Sequence, residues 1–424
     1  MVEMKEQYPY KERLTDKELL RKLDSAGALL IRGLKACGKT ESAKQYSKSI
    51  LALDQDEQVP LLMATSPQRL LLGDTPRLID EWQEHPKIWN YVRHEVDNRK
   101  ETAQFILTGS ANPEESIKMH SGAGRFTILD MRTMSWQEMG YSSGKVSLKK
   151  LFNGEKIDIY DEPTDIEFII DRIITGGFPG LIGKTIRQAR DLNRAYVDLL
   201  AQVDMSRLSN TKRDPIKVYN LLRSLARNTA TMVDIKTLEA DIRQRDLKDL
   251  SRPTIYDYLD ALDRLMITEN QPAWGAHIRS SSTLRKAAKR HFTDVSLAVA
   301  ALGLKKEALL KDLKFVGFLF ESLAVHELRV YAQVSDAKVY HYHDSSGLEV
   351  DAIVQKYNGD WCAFEIKLGT GQIEEAAKSL KKFVSILDTK RISLPKSLNI
   401  ITGTGISYTR NDGINVISLA SFGA

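Results

Sequence analysis

An α/β protein of several domains is what this sequence predicts, and three observations predict it. The stretch LLIRGLKACGKTESAKQY, Leu29 to Tyr46, holds a complete Gly-x-x-x-x-Gly-Lys-Thr spacing between an apolar run and a helical segment. Two later apolar runs end in acidic or hydroxyl residues, at Leu78-Ile79-Asp80-Glu81 and at Phe105-Ile106-Leu107-Thr108. Towards the other end, GLEVDAIVQKYNGDWCAFEIKLG gives two strand-like runs joined by Asn358-Gly359, a hairpin signal. At 424 residues the chain has room for roughly two to four domains with real cores.

Composition narrows the class. The 61 basic residues exceed the 56 acidic ones by 5, which permits nucleic-acid binding without requiring it. Only two cysteines occur, Cys37 in the glycine loop and Cys362 in a strand-like segment, so there is no disulfide framework or zinc pattern. The N-terminus MVEMKEQYPYKERLTDKELL is charged and lacks the apolar core of a secretory signal. No apolar run is long enough to span a bilayer. The expectation is a soluble protein of the reducing cytoplasm, with no membrane partner.

The first half reads as a nucleotide site. Ala28 to Ile31 is a buried-strand run, and Glu41 to Ile50 reads as a helix. A loop leaving such a strand and opening a helix aims backbone N–H groups at one point, where the helix dipole also favours an anion. Lys39 can then reach β- and γ-phosphates, and the Thr40 hydroxyl can hold Mg²⁺. In RLIDEWQ, Asp80 ends a strand where a metal-orienting carboxylate belongs, and Glu81 follows as a candidate general base. In QFILTGSANP, Thr108 and Ser110 offer hydroxyls at the carboxyl end of a strand, the edge where ligands sit in open α/β sheets. Gly124-Arg125 precedes the run Phe126 to Leu129, with Arg132 beyond it. An arginine here is a candidate phosphate contact in its own subunit or a neighbour's, or an ordinary surface residue.

Taken in order, GLKACGKT, LIDEWQ, FILTGSANP, HSGAGRF and MSWQEMG resemble the AAA-type ATPases widespread in bacteria and archaea. More narrowly they are similar to the group whose ATPase precedes a C-terminal domain of unknown function. The resemblance covers essentially the whole chain. It implies ATP held by Gly33, Leu34, Lys35, Ala36, Cys37, Gly38, Lys39 and Thr40. It further implies Mg²⁺ and water handled at Asp80 and Glu81. It implies no settled cellular role. From the residues themselves, Thr40 and Asp80 are the candidate Mg²⁺ ligands, and Lys39, Glu81, Ser110 and Arg125 the candidate catalytic residues.

The middle reads as helical, then as a winged helix-turn-helix. LNRAYVDLLAQVDMSRL and PIKVYNLLRSLARN carry apolar residues at three- and four-residue spacing, with Pro215 at a helix start. In LSRPTIYDYLDALDRLMITENQPAW, Ser251 is a candidate N-cap, and Ile255, Tyr258, Leu259 and Leu262 share one face. Met266 to Glu269 reads as a strand. The candidate recognition helix offers Arg252, Thr254 and Tyr256 to a duplex, yet Asp257, Asp260 and Asp263 would repel phosphates. Protein docking and DNA reading both stay open. A basic run follows, with Arg279, Arg285, Lys286, Lys289 and Arg290, a candidate contact for DNA or RNA or simply a solvated face.

The last hundred residues hold a second constellation. FVGFLFESLAVHELRVYA is a helix containing Glu321, Asp351 lies on the first run of the hairpin, and Glu365 and Lys367 lie on the second. Glu365 and Lys367 share a face because strand side chains alternate. Two carboxylates with a lysine make a candidate Mg²⁺ site, the metal on Asp351 and Glu365. The site demands a three-residue loop Tyr357-Asn358-Gly359, which puts Asp351 opposite Glu365 and requires positive φ at Gly359. The set resembles the restriction-endonuclease-like fold, in which Glu321, Asp351, Glu365 and Lys367 would form the catalytic centre. Val350 stands where that motif often has proline.

The expected division is an ATPase core over 1–140, a helical extension or lid over 141–208, a winged-helix-like domain over 209–305 and a restriction-endonuclease-like α/β domain over 306–424. Three functions remain open. One is an ATPase coupling nucleotide state to nucleic-acid engagement by the nuclease-like domain. Another is a regulator or adaptor whose C-terminal domain binds a protein or nucleic-acid partner without cutting it. The third is a metal-dependent nuclease with a structural nucleotide site. Homo-oligomers are compatible with each.

Overall fold

The computed structural model describes residues 10–109, 122–159, 161–207, 213–243, 250–275 and 287–424. The chain divides after Arg132 into two compact units. Among the described residues, no helix is long and apolar enough to cross a membrane.

The first unit is a parallel sheet of β1 (Ala28–Gly33), β2 (Ser49–Ala52), β3 (Arg77–Asp80), β4 (Phe105–Gly109) and β5 (Phe126–Met131). Its order is β2-β3-β4-β1-β5. Strand β1 therefore lies between β4 and β5, with its neighbours reached by crossovers in opposite senses. That is a topological switch point, where a crevice opens at the carboxyl edge. The strands are short apolar runs because both faces are covered: Leu30, Leu51, Ile79 and Leu107 join Trp82, Trp89 and Val92 in one core. One expectation needs correction. The helix after the glycine loop is Lys39–Gln45, and Ile50 belongs to β2. Pairing with β3 takes that segment, Ile50 opposite Leu78, and overrides its helical spacing.

The second unit centres on a seven-stranded mixed sheet. Its strands are β7 (Asp158–Ile159), β10 (Ala337–His343), β11 (Glu349–Lys356), β12 (Trp361–Lys367), β13 (Leu398–Thr402), β14 (Ser407–Thr409) and β15 (Asn415–Ser418). They run β10-β11-β12-β13-β15-β14-β7. Strand β6 (Val146–Ser147) pairs separately with β16 (Phe422–Gly423). The segment expected to be a helical lid thus begins with strands that pair with the chain's last hundred residues. Two-residue strands have no periodicity of their own, so no pattern in the sequence marks them. On one face of the large sheet, Trp361 and Ala363 pack with Phe383 of the helix Ile373–Ser385. Phe364 reaches Phe422, which meets Tyr331 of the helix Leu313–Val334.

Between β7 and β10 come the helices Ile166–Thr175, Ile186–Leu199, Pro215–Arg227, Ile235–Arg243 and Arg252–Arg264. Ser251 caps the last of these, its side chain accepting from Thr254 N–H. The antiparallel pair β8 (Thr268–Gln271) and β9 (Lys289–Phe292) follows, and Thr231 bridges to Arg290. The strand starts two residues later than expected, because Met266 adopts φ 57° and donates to Asp263 O in a turn.

The chain leaving Arg132 is fixed by a buried carboxylate. Glu327 accepts from Trp136 N–H at 3.1 and 3.0 Å and from the Tyr331 hydroxyl at 2.5 Å. Burial pushes its carboxyl up to about 8, against the lowering effect of Tyr331 and Trp136. A carboxyl raised in the folded state holds its proton there while the unfolded chain has released it. Stability is then expected to fall as pH rises from about 4.5 to about 8. Urea midpoints across that window should fall in wild type and fall less in Glu327→Gln, which keeps an acceptor and carries no charge.

Candidate functional site

At the carboxyl edge of the first sheet the backbone makes the cradle before any side chain enters. Ala36 and Gly38 have φ 64° and 104°, left-handed values that turn successive N–H groups of the loop inward. Gly33 admits no side chain, since a Cβ there would lie 2.1 Å from Met131 O. Lys39, 5 % exposed, donates to Gly33 O and Leu34 O, both at 3.0 Å. Thr40 Oγ1 donates to Asp80 Oδ1 at 2.9 Å, and Thr108 bonds the same oxygen. Register explains the convergence: Ile79 pairs with Leu107, and Ile31 with Thr108, so the ends of β1, β3 and β4 are level.

Glu81 follows β3 at φ 52° and ψ 46°, a turn that takes its side chain out of the strand's alternation. Burial pushes its carboxyl up, opposed by the Gln83 amide and by Lys39. The raised value suits a base that takes a proton from water. These donors fit ATP with Mg²⁺: the loop and Lys39 for the phosphates, Thr40 and Asp80 for the cation. The side chains of Leu34 and Cys37 are buried, so these residues offer backbone alone.

Two expected catalytic residues stand differently. Ser110 lies outside the described residues. Arg125 precedes β5 at its amino end, where its carbonyl accepts from Ala28 N–H, while Gly33 pairs with Met131 at the other end. Six strand residues, about 20 Å, separate it from the phosphate edge of its own sheet. It instead pairs with Asp97 at 2.6 Å on the surface, away from the loop of its own chain.

The second constellation does assemble. Gly359 has φ 93°, Lys356 N–H donates to Asp360 O at 2.8 Å, and Ala352 pairs with Phe364, which brings Asp351 level with Glu365. Between Tyr340 and Tyr342 the pairing of β10 with β11 shifts by one residue, a bulge beside Asp351. Asp351 Oδ2 accepts from Ile366 N–H at 2.8 Å and from Lys367 Nζ at 3.2 Å, and Lys367 lies 2.7 Å from Glu365. These groups line a cleft of about 330 Å³ together with Glu349, Glu375, Ser379 and Lys382.

The expected Mg²⁺ site on Asp351 and Glu365 also holds a residue that sequence reasoning placed elsewhere. Lys289, 2 % exposed, sits 2.6 Å from Glu321, 2.5 Å from Glu349 and 3.7 Å from Asp351 Oδ1. It is therefore a buried counter-cation and no part of a solvated basic face. Arg279, Arg285 and Lys286 of that run lie outside the described residues. Burial works against the Lys289 ammonium, but Glu321, Asp351 and Glu349 outweigh it and hold the proton on. Burial and Asp351 push Glu365 up while Lys367 pulls it back. Both oxygens of Asp351 face an ammonium, so in this structure its charge is met by lysines. Among the described residues no group of three or more His, Cys, Asp or Glu side chains is arranged to hold a metal. Gln271, also unforeseen, completes the site by donating to Tyr340 O and Asp351 O at 2.9 and 3.0 Å. Lys289 and Gln271 both come from the β8–β9 pair.

Comparison with known proteins gives three matched regions. Residues 25–140 match a family model described as an AAA domain. Residues 166–308 and 316–422 match two models described as domains of unknown function, DUF8612 and DUF4143. Uncharacterised proteins of Mycobacterium bovis and Mycobacterium tuberculosis are each 22 % identical over 355 residues, 82 % of this chain and 72 % of theirs. Among solved structures, the Walker-type ATPase of Pyrococcus abyssi is 12 % identical with a TM-score of 0.42, over 70 % of this chain and 99 % of that one. The Orc1 protein of Aeropyrum pernix, solved in complex with DNA, is 12 % identical with a TM-score of 0.27, over 72 % of this chain and 95 % of that one. Those scores are too low to assign a fold. The family match and the loop geometry together identify the amino-terminal unit as an AAA-type P-loop ATPase domain, which precedes two domains of unknown function.

Proposed function

We propose that this chain hydrolyses ATP with Mg²⁺ and uses the nucleotide cycle to control a C-terminal domain that binds a partner without cutting it. The observation that carries the first half is the convergence of Lys39, Thr40, Asp80, Thr108 and Glu81 on one edge. Mg²⁺, which Thr40 and Asp80 would hold, would supply positive charge against the charge that develops on the phosphates. Lys39 steadies the phosphates, Asp80 orients Thr40, and Glu81 takes the proton of the attacking water. Arg125 is left for a neighbouring subunit.

The second half rests on Lys289. A restriction-endonuclease-like reading of Glu321, Asp351, Glu365 and Lys367 is supported by the helix, hairpin and register. In that reading, the lysine among the carboxylates favours binding over cleavage. The cleft carries Glu349, Asp351, Glu365 and Glu375 against Lys367 and Lys382, a balance that suits a protein partner better than a phosphate backbone. The middle keeps its winged-helix-like reading: three helices, a bridge and an antiparallel strand pair. On its last helix Asp257 is held by buried Arg213, both contacts at 2.9 Å, which relieves part of the repulsion expected for DNA.

ATP turnover with Mg²⁺, measured with and without duplex and single-stranded DNA, tests this reading, together with cleavage of supercoiled plasmid. Expected are Mg²⁺-dependent phosphate release and intact plasmid. No phosphate release defeats the first half, and cleavage lost in Asp351→Asn defeats the second.

A further inference from the structure

The residues ahead of the first helix lie against the phosphate loop, and one of them is a buried cation. Arg13 is 4 % exposed. Its guanidinium donates to Cys37 O and to Arg132 O, each at 2.9 Å. Its backbone N–H donates to Asp16 Oδ2 at 2.9 Å. The Tyr10 hydroxyl bonds both Asp16 oxygens, at 2.9 and 2.8 Å, and Ser42 Oγ at 2.9 Å. Ser42 belongs to the helix Lys39–Gln45 that the loop opens. The segment from Tyr10 to Asp16 thus grips the loop at its apex and its helix at the first turns.

We propose that Arg13 is a positioning residue of the nucleotide site, which sets the direction of the Gly38 N–H; the inference rests on the ATP reading above. Cys37 C=O and Gly38 N–H belong to one trans peptide unit and point in opposite directions. A donor that holds the carbonyl from outside therefore turns the N–H to the other side, into the cradle. The fork of the guanidinium matters, because two parallel donors tie the loop to the end of β5 at a fixed spacing. Burying that charge is costly unless it is hydrogen-bonded, and two carbonyls with Asp16 nearby offset the cost. A structural bond would have served with any buried donor; this one is aimed at the Cys37–Gly38 peptide, which lies between the left-handed residues Ala36 and Gly38.

The test uses the full chain, with ATP and ADP as probes in calorimetric titrations and steady-state turnover. A charged hydrogen bond of this kind is worth about a tenfold change or somewhat more. Arg13→Met is expected to raise KM and both dissociation constants about tenfold while kcat holds, since Asp80 and Glu81 are untouched. Arg13→Lys, which reaches one carbonyl at a time, should fall between. Millimolar guanidinium should restore part of the affinity of Arg13→Ala, which a merely structural defect would not allow. Wild-type affinity in Arg13→Met overturns the proposal while leaving the nucleotide reading intact; absence of ATP binding by wild type overturns that reading itself. Should Arg13→Met not fold, Arg13→Lys decides, and unchanged affinity there is equally fatal.

Discussion

Alanine at Lys39 is expected to abolish measurable binding of ATP–Mg²⁺, whereas glutamine at Glu81 should preserve binding and remove turnover. The two variants separate because the residues act at different moments. In the proposed mechanism the Lys39 ammonium, held among the carbonyls of Gly33 and Leu34, would meet the phosphates in the ground state and throughout the reaction. Glu81 would matter only when water loses a proton, and burial raises its half-buried carboxyl, which favours that transfer. Losing such a base typically costs about 10²- to 10⁴-fold in rate. Calorimetric titration gives the binding half, and single-turnover phosphate release gives the other. Because Lys39 also satisfies two carbonyls, circular dichroism should accompany the titration. Equal ATP affinity in wild type and a folded Lys39→Ala protein removes the assignment.

How much of this was legible beforehand depended on the range of the interactions involved. The phosphate loop is contiguous, and its left-handed turns at Ala36 and Gly38 are local, so eight residues in a row revealed it. The hairpin register followed from the demand that Asp351 and Glu365 share a face, since only a three-residue turn with Gly359 sets them opposite each other. Arg125 stands away from the phosphate edge for a reason already present in the sequence. In a parallel sheet, a residue before a strand lies at the amino edge and ligands gather at the carboxyl edge. Ile50 misled because an edge strand of four residues overrode a helical pattern. Lys289 and Arg13 could not be read at all: one reaches Glu321 across 32 positions, the other Arg132 across 119. A lysine in a basic run gives no sign that it will be buried.

Methionine at Lys289 is expected to destabilise the second unit by about 3–5 kcal/mol near neutral pH, as removal of one partner from a buried ion pair does. The methionine stem fills the same space, so the loss isolates the charge. Without the ammonium, Glu321 and Asp351 remain buried with mutual repulsion and one fewer counter-cation. Adding Glu321→Gln to Lys289→Met should recover part of the loss, because an amide needs no cation beside it. Urea unfolding of the three proteins gives the comparison. A second measurement bears on function. Wild type should show the same urea midpoint with and without millimolar Mg²⁺ in the absence of nucleotide, since both Asp351 oxygens already face ammonium groups. A Mg²⁺-dependent rise that disappears in Asp351→Asn would mean that the cluster takes a metal after all, with Lys289 displaced. If Lys289→Met is as stable as wild type, the lysine is not the counter-cation of the cluster, and the case for a binding domain loses its main support.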